Sequence, residues 1–106
     1  MSSPLGSNAP KAFEALQLPP AALERGGMEI LRAGIIDDGL HVTIRPVFED
    51  TRMWGRVLAD VAFQVARAYA HQQRGKPEDV IASIRAAFDA DMNNPPDVHS
   101  EVGPIG

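Results

Sequence analysis

Cysteine is absent from this chain of 106 residues, and its absence excludes disulfides, thiolate catalysis and metal sites with cysteine ligands. Aromatic residues are few, at 6%, with one tryptophan and one tyrosine. No apolar run approaches the ~20 residues of a membrane-spanning helix. The N-terminal segment also lacks the apolar core of a signal peptide. We therefore expect a cytoplasmic protein that makes no membrane contact.

Positive charge is also scarce. Lys and Arg total 10 against 14 Asp and Glu, which gives a formal net charge of −4 and a pI near 5.2. The positive and negative residues balance up to Gly75, so the whole excess lies in the last third of the chain. This distribution opposes non-specific binding to nucleic acids or anionic membranes. Nucleic-acid binding through the arginines of the long predicted helix is a weak alternative, because Asp60 interrupts them.

The length allows one small domain with a modest core, since a folded chain of 11.4 kDa exposes roughly 6,000 Å². The hydrophobic share of 44% and charged share of 23% are ordinary for a globular protein. Most of the nine prolines lie near the two ends of the chain. We expect a mobile leader over 1–17, a single domain over 18–93, and a mobile, acidic, proline-rich tail over 94–106.

Three helices are predicted. The Pro19-Pro20 pair begins a short helix that Gly26 ends. Asp50 caps a long helix over about 51–74, and a shorter helix begins at Pro77 and runs to about Met92. Apolar residues recur at helical spacing and predict the buried stripes, which are Trp54, Val57, Leu58, Val61, Val65, Ala68 and Tyr69 in the long helix and Val80, Ile81, Ile84, Phe88 and Met92 in the shorter one.

A β-hairpin is predicted over 28–47, with Asp38-Gly39 as a two-residue type I′ turn. In that register one face of the hairpin is wholly apolar and is expected to face the core. The fold class that follows is α+β, with the element order α-β-β-α-α and an antiparallel hairpin packed on the long and the shorter C-terminal helix. The residues of the predicted core face are Leu31, Ala33, Ile35, Leu40, Val42 and Ile44.

The second face of the hairpin holds the predicted binding residues. There the register places Arg32 opposite Arg45, and directly opposed like charges destabilise a sheet unless an acidic group intervenes. Either both arginines extend into solvent, or an acidic ligand or segment binds them, such as the one that contains Asp89, Asp91 and Asp97. A second copy of the chain is another possible cover, and the candidate interface residues are Ile30, Gly34, Ile36 and Thr43.

The histidines are the only side chains suited to acid–base chemistry near neutral pH, and their positions in the sequence do not cluster. His41 lies on a strand, His71 near a helix end and His99 in the tail. No metal-ligand spacing is present, so we expect no metal, no cofactor and no catalytic residue.

Several segments resemble an uncharacterised family of bacterial proteins of about 100 residues, close to the 106 of this chain, best populated in alphaproteobacteria. The similarity extends over about half of the chain, from Leu16 to Tyr69. It implies one compact bacterial domain of unknown function and supplies no catalytic residues. The segments that carry it are 15–20, 39–46, 50–60 and 65–69.

Two hypotheses follow. The first is a small homodimeric binding or regulatory module that is not an enzyme, in which two hairpins join edge to edge, because a bare two-stranded hairpin is marginally stable. The alternative is a binder of a small carboxylate or phosphate compound, or a minor enzyme. Arg32 and Arg45 would then hold the anion, and His41 would supply acid–base chemistry.

Overall fold

A computed structural model describes residues 12–95 and 100–105, the latter as backbone only. The predicted α+β class and the order α-β-β-α-α are confirmed. One further strand follows at the end of the chain. The elements are α1 (Pro20–Arg25), β1 (Leu31–Ile36), β2 (Gly39–Ile44), α2 (Arg52–His71), α3 (Pro77–Asn93) and β3 (Ser100–Ile105).

The hairpin turn lies one residue earlier than predicted. Asp37 and Asp38 form the two-residue loop, with φ values of 50° and 65°. Positive φ at both central positions is the type I′ conformation, which matches the right-handed twist of the flanking strands. Aspartate tolerates this left-handed region because its short polar side chain can bond locally. Gly39 is therefore the first residue of β2 and pairs with Ile36.

This shift moves every cross-strand partner by two residues, so the predicted pairing of Arg32 with Arg45 is wrong. Arg32 lies opposite Thr43, while Arg45 donates its backbone N–H to the Ile30 carbonyl at 2.9 Å. The observed register separates the two like charges, which favours it physically. Because the shift is an even number, the same residues still share each face of the hairpin.

β3 adds a strand that the sequence analysis did not expect. It pairs in parallel with β2, which makes β2 the central strand of a three-stranded sheet. Part of the predicted tail is therefore regular structure. Residues 1–11 and 96–99, for which mobility is predicted, lie outside the part of the chain that the structure describes. Asp97 and His99 are among them.

The long helix α2 begins where the sequence indicated. The Asp50 carboxylate accepts a hydrogen bond from the Arg52 backbone N–H at 3.0 Å, and it forms an ion pair with the Arg52 guanidinium at 2.9 Å. The helix ends at His71, three residues before the predicted end. Gln73 leaves the helical conformation with φ 57°, and the Arg74 guanidinium lies 4.4 Å from the centre of the Tyr69 ring.

Helices α2 and α3 pack against each other, but not through the predicted stripe of α2. The one buried residue among those that the structure describes is Ala66, which is 2% exposed. With Gly55, Ala59 and Ala62 it forms a row of small residues at helical spacing, and this row faces the apolar side chains of α3. Small residues let two helices approach closely. The larger residues Val61 and Val65 point elsewhere.

The predicted packing of the hairpin on the helices is absent from the described part of the chain. Among the helices and strands there, the strands contact only one another, and α2 contacts only α3. The segment between β2 and α2 joins the two parts, and the Phe48 ring meets the edge of Trp54 at 5.4 Å between ring centres. The α-carbon radius of gyration is 16.6 Å, against about 13 Å for a compact domain of this length.

The accessible surface area reflects this open arrangement. It is 9257 Å², about one and a half times the roughly 6,000 Å² of a compact monomer of this mass. No helix in the described ranges is both long enough and apolar enough to span a lipid bilayer.

We predict that Asp38→Gly stabilises the hairpin by about 1 kcal/mol, since glycine occupies the left-handed region without steric cost. Chemical denaturation measures the free energy of unfolding. Asp38→Ala is the matched control, because it removes the same carboxylate but keeps a Cβ, and it should destabilise the protein. Equal effects of Gly and Ala would contradict the observed turn.

We predict that Asp50→Asn lowers the melting temperature at pH 7 and that the difference disappears as the pH falls. The Arg52 guanidinium, with the Arg52 backbone N–H, holds the pKa of the Asp50 carboxyl below its ordinary value of 3.8. A folded-state pKa below the unfolded value stabilises the protein above that range, and this contribution is lost on acidification. Melting curves between pH 7 and pH 2 test this, and a pH-independent difference would disprove the ionic contribution.

Candidate functional site

The predicted anion site is partly occupied by the chain itself. The Arg32 guanidinium makes an ion pair with the Glu29 carboxylate at 2.9 Å, and both of its bonds to that group are intramolecular. The acidic group beside Arg32 is therefore its own neighbour three residues earlier. Arg45 bonds the same residue, because its Nε donates to the Glu29 main-chain carbonyl at 3.0 Å.

Arg32 and Arg45 both bond to Glu29, but the structure places His41 apart from Arg45. His41 is half-buried on β2, opposite Gly34, and its Nε2 lies 3.8 Å from where a Cβ would stand on Gly39. Its ring therefore leans towards the hairpin turn. His41 and Arg45 are four positions apart in the sequence, which is about 13 Å along an extended chain. The proposed acid–base role of His41 beside an arginine-bound anion stays a prediction.

The candidate interface residues on the second face differ in how far they are covered. Phe13 lies over Gly34 so closely that a Cβ on that glycine would come within 2.6 Å of its ring. Any side chain larger than hydrogen would displace Phe13. Ile36 is 43% exposed and Thr43 is also exposed, whereas Ile30 is half-buried. Part of the predicted leader thus covers the centre of this face.

Two apolar surfaces in the described part of the chain are partly exposed to solvent, one on α2 and one on the other face of the hairpin. The α2 stripe comprises Leu58, Val61, Val65 and Tyr69, each 37–43% exposed. The sheet face comprises the predicted core positions, of which Ile35 is 71% and Leu40 is 39% exposed. Soluble monomers seldom leave such contiguous apolar surface open to water. The residues of the sheet face are Leu31, Ala33, Ile35, Leu40, Val42 and Ile44.

The sequence analysis missed that α2 has two apolar faces. The alanine row packs on α3, whereas the larger residues of the stripe remain 37–43% exposed in the described part of the chain. The signal was present in the spacing of Ala59, Ala62 and Ala66, which recur on one side of the helix. Alanines carry little weight in a hydrophobic periodicity, so the larger residues determined the predicted core.

An open apolar depression of about 320 Å³ lies where α2 and α3 diverge. Leu58 and Phe63 line it from α2, and Ile84 and Phe88 line it from α3. Phe88 is 47% exposed there, so this depression continues the uncovered apolar surface of the α2 stripe. Among the described residues, no three histidine or acidic side chains come together as a metal ion requires.

Comparison with known proteins supports the fold and gives the family. The chain is similar to a solved structure from the photosynthetic bacterium Rhodopseudomonas palustrus CGA009, a protein provisionally named a pyruvate dehydrogenase. The two sequences are 33% identical, the match covers 82% of this chain and 91% of the other, and the TM-score is 0.68. A comparison with curated proteins finds no match. A family model matches residues 15–96, and the chain therefore belongs to the family described as a domain of unknown function, DUF5076.

Proposed function

We propose that this protein is a cytoplasmic, homodimeric binding or regulatory module and not an enzyme. The observation that carries the proposal is the uncovered apolar surface of the α2 stripe and the sheet face. A chain with one buried residue among those described has little core of its own. A second copy supplies the missing cover, because both surfaces recur in every protomer.

The size of the surface excess supports an obligate dimer. The chain exposes about 3,000 Å² more than a compact monomer of its mass, and each protomer of an obligate homodimer buries about 1,000–2,500 Å². Interfaces of that kind are rich in apolar residues and resemble a domain core cut in half. The exposed positions of the α2 stripe are of this type, with leucine, valine and tyrosine and no charge.

The similar solved structure also supports the proposal. Its match extends over 82% of this chain with a TM-score of 0.68, so the two proteins share the fold at 33% identity. If the fold leaves the same apolar surfaces uncovered in both proteins, a second copy of the chain is a cover that every member can supply.

We predict that Val65→Asp dissociates the dimer. A carboxylate at a buried interface position costs about 2 kcal/mol or more, which raises the dissociation constant at least roughly 30-fold. Light scattering coupled to size-exclusion chromatography, across a concentration series, measures the mass. Arg56→Gln is the control, because it changes the net charge by the same amount on another side of α2 and should leave the dimer intact.

A wild-type protein that stays monomeric at micromolar concentration would disprove the proposed function. A dimer that dissociates with salt would contradict an apolar interface, since salt screens charge interactions and strengthens apolar burial. A dimer that Val65→Asp and Arg56→Gln leave equally intact would place the interface away from the α2 stripe.

Binding of a small carboxylate is the second candidate. The specific observation is that Arg32 and Arg45 meet at Glu29, beside an open depression of about 280 Å³ that Thr43 also lines. The provisional name of the similar protein also concerns pyruvate, which is a carboxylate. Glu29 competes for Arg32, so Arg45 carries most of the remaining capacity for an anion.

We predict that any such ligand acts through Arg45. If pyruvate or inorganic phosphate raises the melting temperature of the wild type, Arg45→Ala should abolish the shift, since a monovalent anion needs the guanidinium fork. Arg56→Ala, which removes an exposed arginine of α2, should retain it. A shift that survives Arg45→Ala, or no shift up to millimolar concentration, would rule out this candidate.

A further inference from the structure

The sheet face and the α2 stripe match each other in size. The stripe from Leu58 to Tyr69 extends over eleven residue steps of helix, about 16 Å. Each six-residue strand of the hairpin has a length of about 20 Å, and three strands have a width of about 10–14 Å. A helix with its side chains is about 10–12 Å across. One helix therefore covers most of one sheet face.

The two surfaces also match in chemistry. All six positions of the sheet face are aliphatic, and the α2 stripe has three aliphatic residues and one tyrosine. Neither surface has a charged residue among its own positions. The Arg74 guanidinium lies 4.4 Å from the centre of the Tyr69 ring, at the end of the α2 stripe, and its long side chain lets the charge stay at the rim of such an interface. Helix-on-sheet packing of this kind is the ordinary way in which a half-apolar sheet is covered in an α+β domain.

The connection between β2 and α2 keeps the two surfaces of one chain apart. At its start Arg45 is fixed twice, to the Ile30 carbonyl at 2.9 Å and to the Glu29 carbonyl at 3.0 Å. At its end Asp50 holds the first turn of α2, and Phe48 packs on the edge of Trp54. Only residues 45–51 separate the two elements. A segment this short and this well anchored holds the hairpin away from its own helix pair.

We propose that in the dimer the sheet face of each protomer packs on the α2 stripe of the other, so that the two chains exchange their hairpins. This inference rests on the proposed homodimer and names its interface. A two-fold axis makes the exchange reciprocal, so both apolar surfaces of both chains are covered and the assembly closes at two copies. Exchange of an identical element is a low-cost route to a dimer, because it reuses contacts suited to a single domain.

The absence of cysteine makes a crosslinking test direct, because every thiol in a variant is an introduced one. The test variant carries Val42→Cys on the sheet face and Val61→Cys on the α2 stripe, both conservative in size. After mild oxidation or a short bismaleimide reagent, exchange is expected to convert the monomer band on a denaturing gel to a covalent dimer. Peptide mapping of dimers mixed from isotopically labelled and unlabelled chains should join position 42 of one chain to position 61 of the other.

The matched control carries Val42→Cys with Arg56→Cys, which lies on another side of α2. It should stay at the monomer position on the denaturing gel, because its two thiols are not brought together by the exchange. Both variants are first checked by light scattering, so that a misfolded sample is recognised by its mass. Val42→Ser/Val61→Ser provides the same check without reactive groups.

Each outcome is decisive. A covalent dimer in the test variant alone supports the exchange. A monomer with a link inside one chain shows that the hairpin folds back on its own helices, and it overturns the inference. A dimer by light scattering in which neither variant crosslinks also overturns it, while the proposed homodimer remains. A monomer by light scattering overturns both.

Discussion

The short anchored connection between β2 and α2 is the constraint on which the rest of this structure depends. It fixes where the hairpin leaves the helix pair, through the contacts of Arg45 with Glu29 and Ile30 and of Phe48 with Trp54. Because it separates the two parts, neither has enough neighbours to bury its apolar residues. The free energy of folding in small domains depends chiefly on such burial. The chain therefore has the apolar residues of one hydrophobic core, but they are divided between the hairpin and the helix pair, which are held apart.

Inside each part, local physics agrees with the structure. The helix pair is held by a row of small residues on α2 against larger ones on α3, with Ala66 buried between them. The hairpin has a type I′ turn, and its register separates Arg32 from Arg45. Glu29 neutralises Arg32 and also receives a bond from Arg45 through its carbonyl, so one residue orders the end of the hairpin.

These observations are the basis for the proposal that this member of DUF5076 functions through association. The described residues contain a large apolar surface, whereas the polar groups of the hairpin largely satisfy each other. The similar structure from Rhodopseudomonas palustrus CGA009 shares the fold, and the activity in its provisional name is a statement about that protein alone. A dimer with exchanged hairpins accounts for the apolar pattern of the sequence and for the open shape of the chain. Binding of a carboxylate at Arg45 would account only for the residues on the second face of the hairpin.

The sequence by itself determined five of the six elements, because these depend on neighbours a few residues away. Proline and glycine at the ends of α1, Asp50 before α2, Pro77 before α3 and two-residue periodicity around a turn all act locally. The grouping of the hairpin residues on two faces was also correct, since an even shift in register preserves it, but the predicted core face does not pack on the helices in the described part of the chain. Only the tertiary structure decided which face of α2 meets α3, that β3 joins the sheet, and that Phe13 covers Gly34. Those outcomes depend on residues distant in the chain, whose approach is set by the connection and by packing, and no local pattern encodes them.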